Sequence, residues 1–119
     1  MKKVLLLLMF LTTIVFAKHI HKEKHYQDIY CNKVGGETEV RLMDRTRVDC
    51  LTATRAIEVD FAPKWAECIG QALHYGLMTN RKPACLLIIE DPNRDRKYLR
   101  RLEYLADRYC IEVYTINPE

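Results

Sequence analysis

Residues 84–90 read Ala-Cys-Leu-Leu-Ile-Ile-Glu, an unbroken apolar run closed by one acid. Its length suits a strand, and a strand that is apolar on both faces must be covered on both. A helical pattern lies on each side of it. Upstream, Pro63 fits the first turn of a helix reaching about Leu77 or Met78, and Asn80 to Pro83 breaks it. Downstream, Asp91-Pro92-Asn93 leads into a helix from about Asp95 to Tyr109, with Tyr98, Leu99, Leu102, Leu105 and Ala106 at helical spacing. Residues 111–116 close as a last strand. The two final strands flank a helix, so they are expected to be parallel.

The upstream half has a different rhythm. His25 to Lys33 reads as a first helix ended by Gly35-Gly36. Glu39 to Leu42 and Arg47 to Leu51 alternate and are expected to form a hairpin around Asp44-Arg45-Thr46. Ala56 to Phe61 is a third strand after the turn at Thr52 to Arg55. The expected order is α-β-β-β-α-β-α-β, an α/β sandwich with a mixed central sheet.

The chain begins with Lys2 and Lys3, then an apolar run to Phe16, then Val15-Phe16-Ala17 with small residues at −3 and −1. That pattern predicts an export signal over residues 1–17, cleaved before Lys18. A polar linker over 18–24 and one domain over 25–119 follow. The protein is expected to be periplasmic or secreted, with no stable membrane insertion after cleavage. Losing Lys2 and Lys3 takes Lys+Arg from 19 to 17 against 16 Asp+Glu, a net charge of about +1. Bulk charge therefore gives no argument for nucleic acid. Any footprint is local, and Arg94, Arg96, Lys97, Arg100 and Arg101 form the best cluster; a solvated helix face is the plain reading of it. Cys31, Cys50, Cys68, Cys85 and Cys110 leave one thiol unpaired in a monomer and lack zinc-site spacing. Cys50 and Cys85 fall in apolar strand patterns and read as core residues. His19, His21 and His25 could form a metal-binding tail, but a disordered polar linker is the plainer reading, since nothing nearby would fix ligand geometry.

Strand alternation sets Glu58 and Asp60 opposite Ile57, Val59 and Phe61, and Asp49 opposite Val48 and Cys50. If the apolar faces agree, Asp49, Glu58 and Asp60 gather on one side. Such carboxylates repel unless protons or a hard cation such as Mg²⁺ or Mn²⁺ intervene. A polar outer hairpin face, with Arg47 and Arg55 pairing the acids, is the plain alternative. On the next helix, Lys64, Gln71 and Tyr75 share a face, with Glu67 beside them. Glu37 or Glu39 could add an acid, and Arg41 and Arg47 could meet phosphates.

The succession Asp49, Glu58-Val59-Asp60, Gln71 and Tyr75 resembles the active site of the PD-(D/E)xK nuclease superfamily, with the QxxxY extension of its RecB-like members. The element order is also that of its core, so the resemblance covers nearly all of residues 25–119. It implies a restriction-endonuclease-like fold and a small exported nuclease core, akin to the Holliday-junction resolvases. It further implies Mg²⁺ or Mn²⁺ held by Asp49, Glu58 and the Val59 carbonyl, with Gln71 and Tyr75 positioning DNA. Where that family has Lys, this chain has Asp60, and Lys64 is the candidate to assist the water. The expected function is metal-dependent hydrolysis of DNA at low sequence specificity, with no small-molecule cofactor. Two other readings stand beside it: a nuclease-like module that binds DNA or protein without catalysis, and a small exported interaction protein with a merely solvated acidic face.

Overall fold

Two cores, one on each face of a five-stranded sheet, organise the chain. The computed structural model describes residues 18–118, so the export signal read over residues 1–17 lies outside the described residues. The elements are α1 (Glu23–Lys33), β1 (Glu37–Arg41), β2 (Arg47–Leu51), β3 (Arg55–Phe61), a 3₁₀ turn (Ala62–Lys64), α2 (Trp65–Thr79), β4 (Lys82–Ile88), α3 (Pro92–Tyr109) and β5 (Glu112–Ile116). The strands lie in sequence order, β1-β2-β3-β4-β5. The first two pairings are antiparallel and the last two parallel, as a hairpin followed by two helical crossovers requires. The domain is thus α/β, with a mixed sheet and three helices. No helix among the described residues is long and apolar enough to cross a membrane.

Alternation along β3 and β4 divides the core. Ile57, Val59, Leu86 and Ile88 pack under α1 with Tyr26. Cys85, Leu87 and Ile89 face α2 and α3, meeting Ala72, Leu102 and Ala106. A disulfide pins each layer: Cys31–Cys50 ties α1 to β2, and Cys68–Cys85 ties α2 to β4. Cys50 and Cys85 are therefore buried as disulfide partners rather than as free core thiols. Cys110 alone is free among the described residues, and it is exposed. Gly36, where α1 turns into β1, has no room for a side chain. A Cβ there would lie 2.7 Å from the Cys50 sulfur and 2.8 Å from that of Cys31.

The helix ends follow local chemistry. Asp91 caps α3, its Oδ1 accepting the Asn93 and Arg94 N–H groups at 3.1 and 3.2 Å, with Pro92 in the first turn. This starts α3 earlier than Asp95. Buried Asp95 reaches back to accept the Asp91 and Glu90 N–H groups. Asn80 ends α2 in the left-handed region, which its short polar side chain tolerates.

Candidate functional site

β2 and β3 separate where the acids sit. Their pairing covers Cys50↔Ile57 and Leu51↔Ala56 and goes no further. Opposite this point Glu39, in β1, takes a left-handed φ of 53°, uncommon for a non-glycine residue. Val48 then packs with Ala56 and Tyr75, while Cys50 packs under α1, so the two do not share a face as simple alternation predicts. In the gap, Asp49 replaces a ladder carbonyl: its Oδ2 accepts the Val59 N–H at 2.8 Å.

The acids nonetheless converge. Glu58 and Asp60 are 5 % and 6 % exposed. Burial pushes the Glu58 carboxyl up to about 11, helped by its hydrogen bond to Asp49 and the charges of Asp49 and Asp60. It is therefore neutral at pH 7. Burial also raises Asp49, against the hydrogen bonds from Glu58 and the Val59 N–H. Asp60 rises to about 7, from burial first and then from Glu23 and Asp49, while Lys64 pulls it down. Glu58 Oε2 and Asp60 Oδ2 are buried with no hydrogen-bond partner. Protons, rather than basic side chains, relieve most of the repulsion at neutral pH.

Glu23, in the first turn of α1, is a member of the cluster that strand alternation could not supply. Its carboxyl is raised by burial and then by Asp49, against the pull of Lys64. Lys64 ends the 3₁₀ turn before α2, exposed but within electrostatic reach of Asp60 and Glu23. Tyr75 is buried, and its hydroxyl is raised by burial and by Glu58 and Asp49. Gln71 stays exposed. Glu39 and Arg47 act on Asp49 only through charge, while Glu37 pairs opposite Leu51. Arg55 is committed to Glu112, not to the acids.

The oxygen-only donors and the two orphaned carboxylate atoms fit a hard divalent cation, which needs only one or two carboxylates beside water. No group of three or more His, Cys, Asp or Glu side chains among the described residues forms a cage for one.

A basic face lies elsewhere, on α3. Arg96, Lys97, Arg100, Arg101 and Arg108 are exposed there, and Tyr104 is 82 % exposed. Lys97 Nζ stands 4.9 Å from the centre of the Tyr98 ring. The Arg101 guanidinium lies 5.6 Å from that ring and 6.0 Å from the Trp65 ring on α2. Arg94 leaves the cluster, since its Nε and Nη2 grip Asp95 at 2.7 and 3.1 Å.

The chain is similar to two putative KilA-N domain-containing proteins of Acanthamoeba polyphaga mimivirus. One is 30% identical over 95 residues, covering 80% of this chain and 25% of that protein. The other is 30% identical over 92 residues, covering 77% of this chain and 36% of that protein. The chain thus spans about a quarter to a third of these relatives' length. No family model and no solved structure matches it. The relatives carry the name of the KilA-N domain, a family distinct from the PD-(D/E)xK nucleases. That overturns the resemblance drawn from Asp49, Glu58, Asp60, Gln71 and Tyr75, and the assignment as a DNA-hydrolysing enzyme falls with it. Acids on adjacent strands ahead of a helix satisfy a short pattern without carrying the ancestry.

The N-terminal segment makes a site of its own. The Glu90 carboxylate accepts hydrogen bonds from His19 Nδ1 at 2.7 Å, the Ile20 N–H at 2.8 Å, the His21 N–H at 3.3 Å and the Tyr26 hydroxyl at 2.7 Å. His19 also stacks on Phe61, with ring centres 3.6 Å apart. Residues 19–21, read from sequence as a free tail, are held against the domain. The acid closing the apolar run was the available signal, since a carboxylate at the end of a buried strand needs donors.

Proposed function

We propose that the protein binds DNA through the basic face of α3 and does not cut it. The observation that carries this is the exposed set Arg96, Lys97, Arg100 and Arg101, interleaved with Trp65, Tyr98 and Tyr104. Guanidinium and ammonium groups meet phosphates, while the exposed Tyr104 ring offers a stacking surface. The relatives' KilA-N name supports DNA as the partner. One feature favours binding without hydrolysis: an acid, Asp60, stands where the nuclease pattern needs a cation.

Three finer points belong to the same proposal. The element order and mixed sheet support a restriction-endonuclease-like scaffold. Asp49 and Glu58, with Asp60 beside them, would hold Mg²⁺ or Mn²⁺, which would supply charge compensation. Export is supported by the two disulfides, which persist in oxidising compartments. With so small a reading surface, sequence specificity is low.

Fluorescence anisotropy with a short labelled duplex tests the proposal. Four phosphate contacts would give a log–log salt slope of about −4. Replacing Arg100 and Arg101 with Ala together should flatten that slope by about 2, and the DNA should stay full length in Mg²⁺ or Mn²⁺. No binding at low salt, or binding indifferent to both replacements, would overturn it.

A further inference from the structure

We propose that His21 and His25 form a binding site for a borderline divalent transition metal, Cu²⁺, Ni²⁺ or Zn²⁺. The two residues are four apart, spanning the start of α1, and their ring centres lie 4.0 Å apart at an interplanar angle of 32°. Ring centres this close bring a nitrogen of each imidazole within reach of one ion, at metal–nitrogen bonds of about 2.0–2.1 Å, once the side chains turn. Imidazole suits these three ions, whereas Mg²⁺ demands oxygen.

What makes this a site, rather than two residues on a tail, is how the backbone is held. Glu90 takes the N–H groups of Ile20 and His21, and the His25 N–H donates to the Lys22 carbonyl at 3.0 Å. The backbone beneath both ligands is therefore held before a metal arrives, which leaves only the two side chains to be ordered. His19 is excluded, because its ring lies flat on Phe61 and its Nδ1 is engaged by Glu90. Two protein ligands leave the remaining positions to water, which makes the site open rather than closed. A bound ion would fasten the segment before α1 to the helix. The inference is independent of DNA binding.

The test uses the untagged chain carrying Cys110→Ser, which removes the competing exposed thiol. Calorimetric titration in saturating Mg²⁺, which fills the acidic site, should give one further metal per chain, with Cu²⁺ tighter than Ni²⁺ and Zn²⁺. Binding should weaken at least tenfold from pH 7.5 to about 5.5, as the imidazoles protonate. The electron paramagnetic resonance spectrum of the Cu²⁺ form should show coupling to two imidazole nitrogens. His21→Gln or His25→Gln should abolish the two-nitrogen signature, whereas His19→Gln should keep it. Equal Cu²⁺ affinity in the His21→Gln and His25→Gln chains, or coupling to no imidazole, would overturn the proposal and leave the ring contact as plain stacking.

Discussion

Asp60 holds its proton to about pH 7 in the folded chain, against about 4 when unfolded. Between those values the folded state binds more protons, so stability falls as pH rises from about 4 to about 7 and then levels. Asp60→Asn should remove much of that slope. In EDTA at pH 8 it should gain stability, by at most about 4 kcal/mol at roughly 1.4 kcal/mol per pH unit, and little at pH 4. Urea melts at the two pH values measure this; equal effects at both would show that Asp60 carries no buried charge cost. Glu90 has the opposite sign. Burial would raise it, yet hydrogen bonds from Tyr26, His19 and the His21 and Ile20 N–H groups outweigh that and hold it below the usual range. Its contribution is present above the unfolded value and is lost as pH falls through the lowered one. Glu90→Gln should cost about 1–3 kcal/mol and expose the bonds around residues 19–21 to limited proteolysis. Unchanged cleavage there would mean that Glu90 does not hold the segment.

At the scale of the element, α3 combines a firm start with a charged outer face. Asp91→Ala removes the acceptor of two first-turn N–H groups and should cost about 1 kcal/mol. A shift in chemical melts with no change in DNA affinity at moderate ionic strength would separate the helix's stability from its binding face. This helix also shows what its sequence disclosed. Its periodic residues were legible, because one face must pack. Its first turn was not, because Asp91-Pro92 reads equally as a turn, and only the Asp91 contacts decide for a cap. β2 was read with its observed bounds, since its alternation is short and flanked by turns. The layer change between Val48 and Cys50 was hidden, because alternation assumes an unbroken ladder and β2 leaves β3 at Asp49. Glu23 stayed hidden for a related reason: only the fold brings the first turn of α1 beside the acids of β2 and β3.

For the whole molecule, the disulfides close segments of 19 and 17 residues on opposite faces of the sheet. Chain entropy assigns about 3 kcal/mol to each. Replacing Cys31 and Cys50 together by Ala should lower the midpoint in guanidinium, and so should replacing Cys68 and Cys85. Equal midpoints in the oxidised and reduced protein would show that neither bridge matters to stability. Their pairing was not legible in the sequence, where five cysteines admit many partners and only tertiary proximity selects among them. The sheet's outer edge has a consequence for behaviour in concentrated solution. Among the described residues β1 has a strand neighbour on one side only, yet it carries Glu37, Glu39 and Arg41 on exposed positions and a backbone kink at Glu39. An approaching strand from another molecule would meet charge and a broken line of donors and acceptors, the features that discourage edge-to-edge stacking. The irregularity beside the acids therefore also keeps one copy of the chain from templating the next.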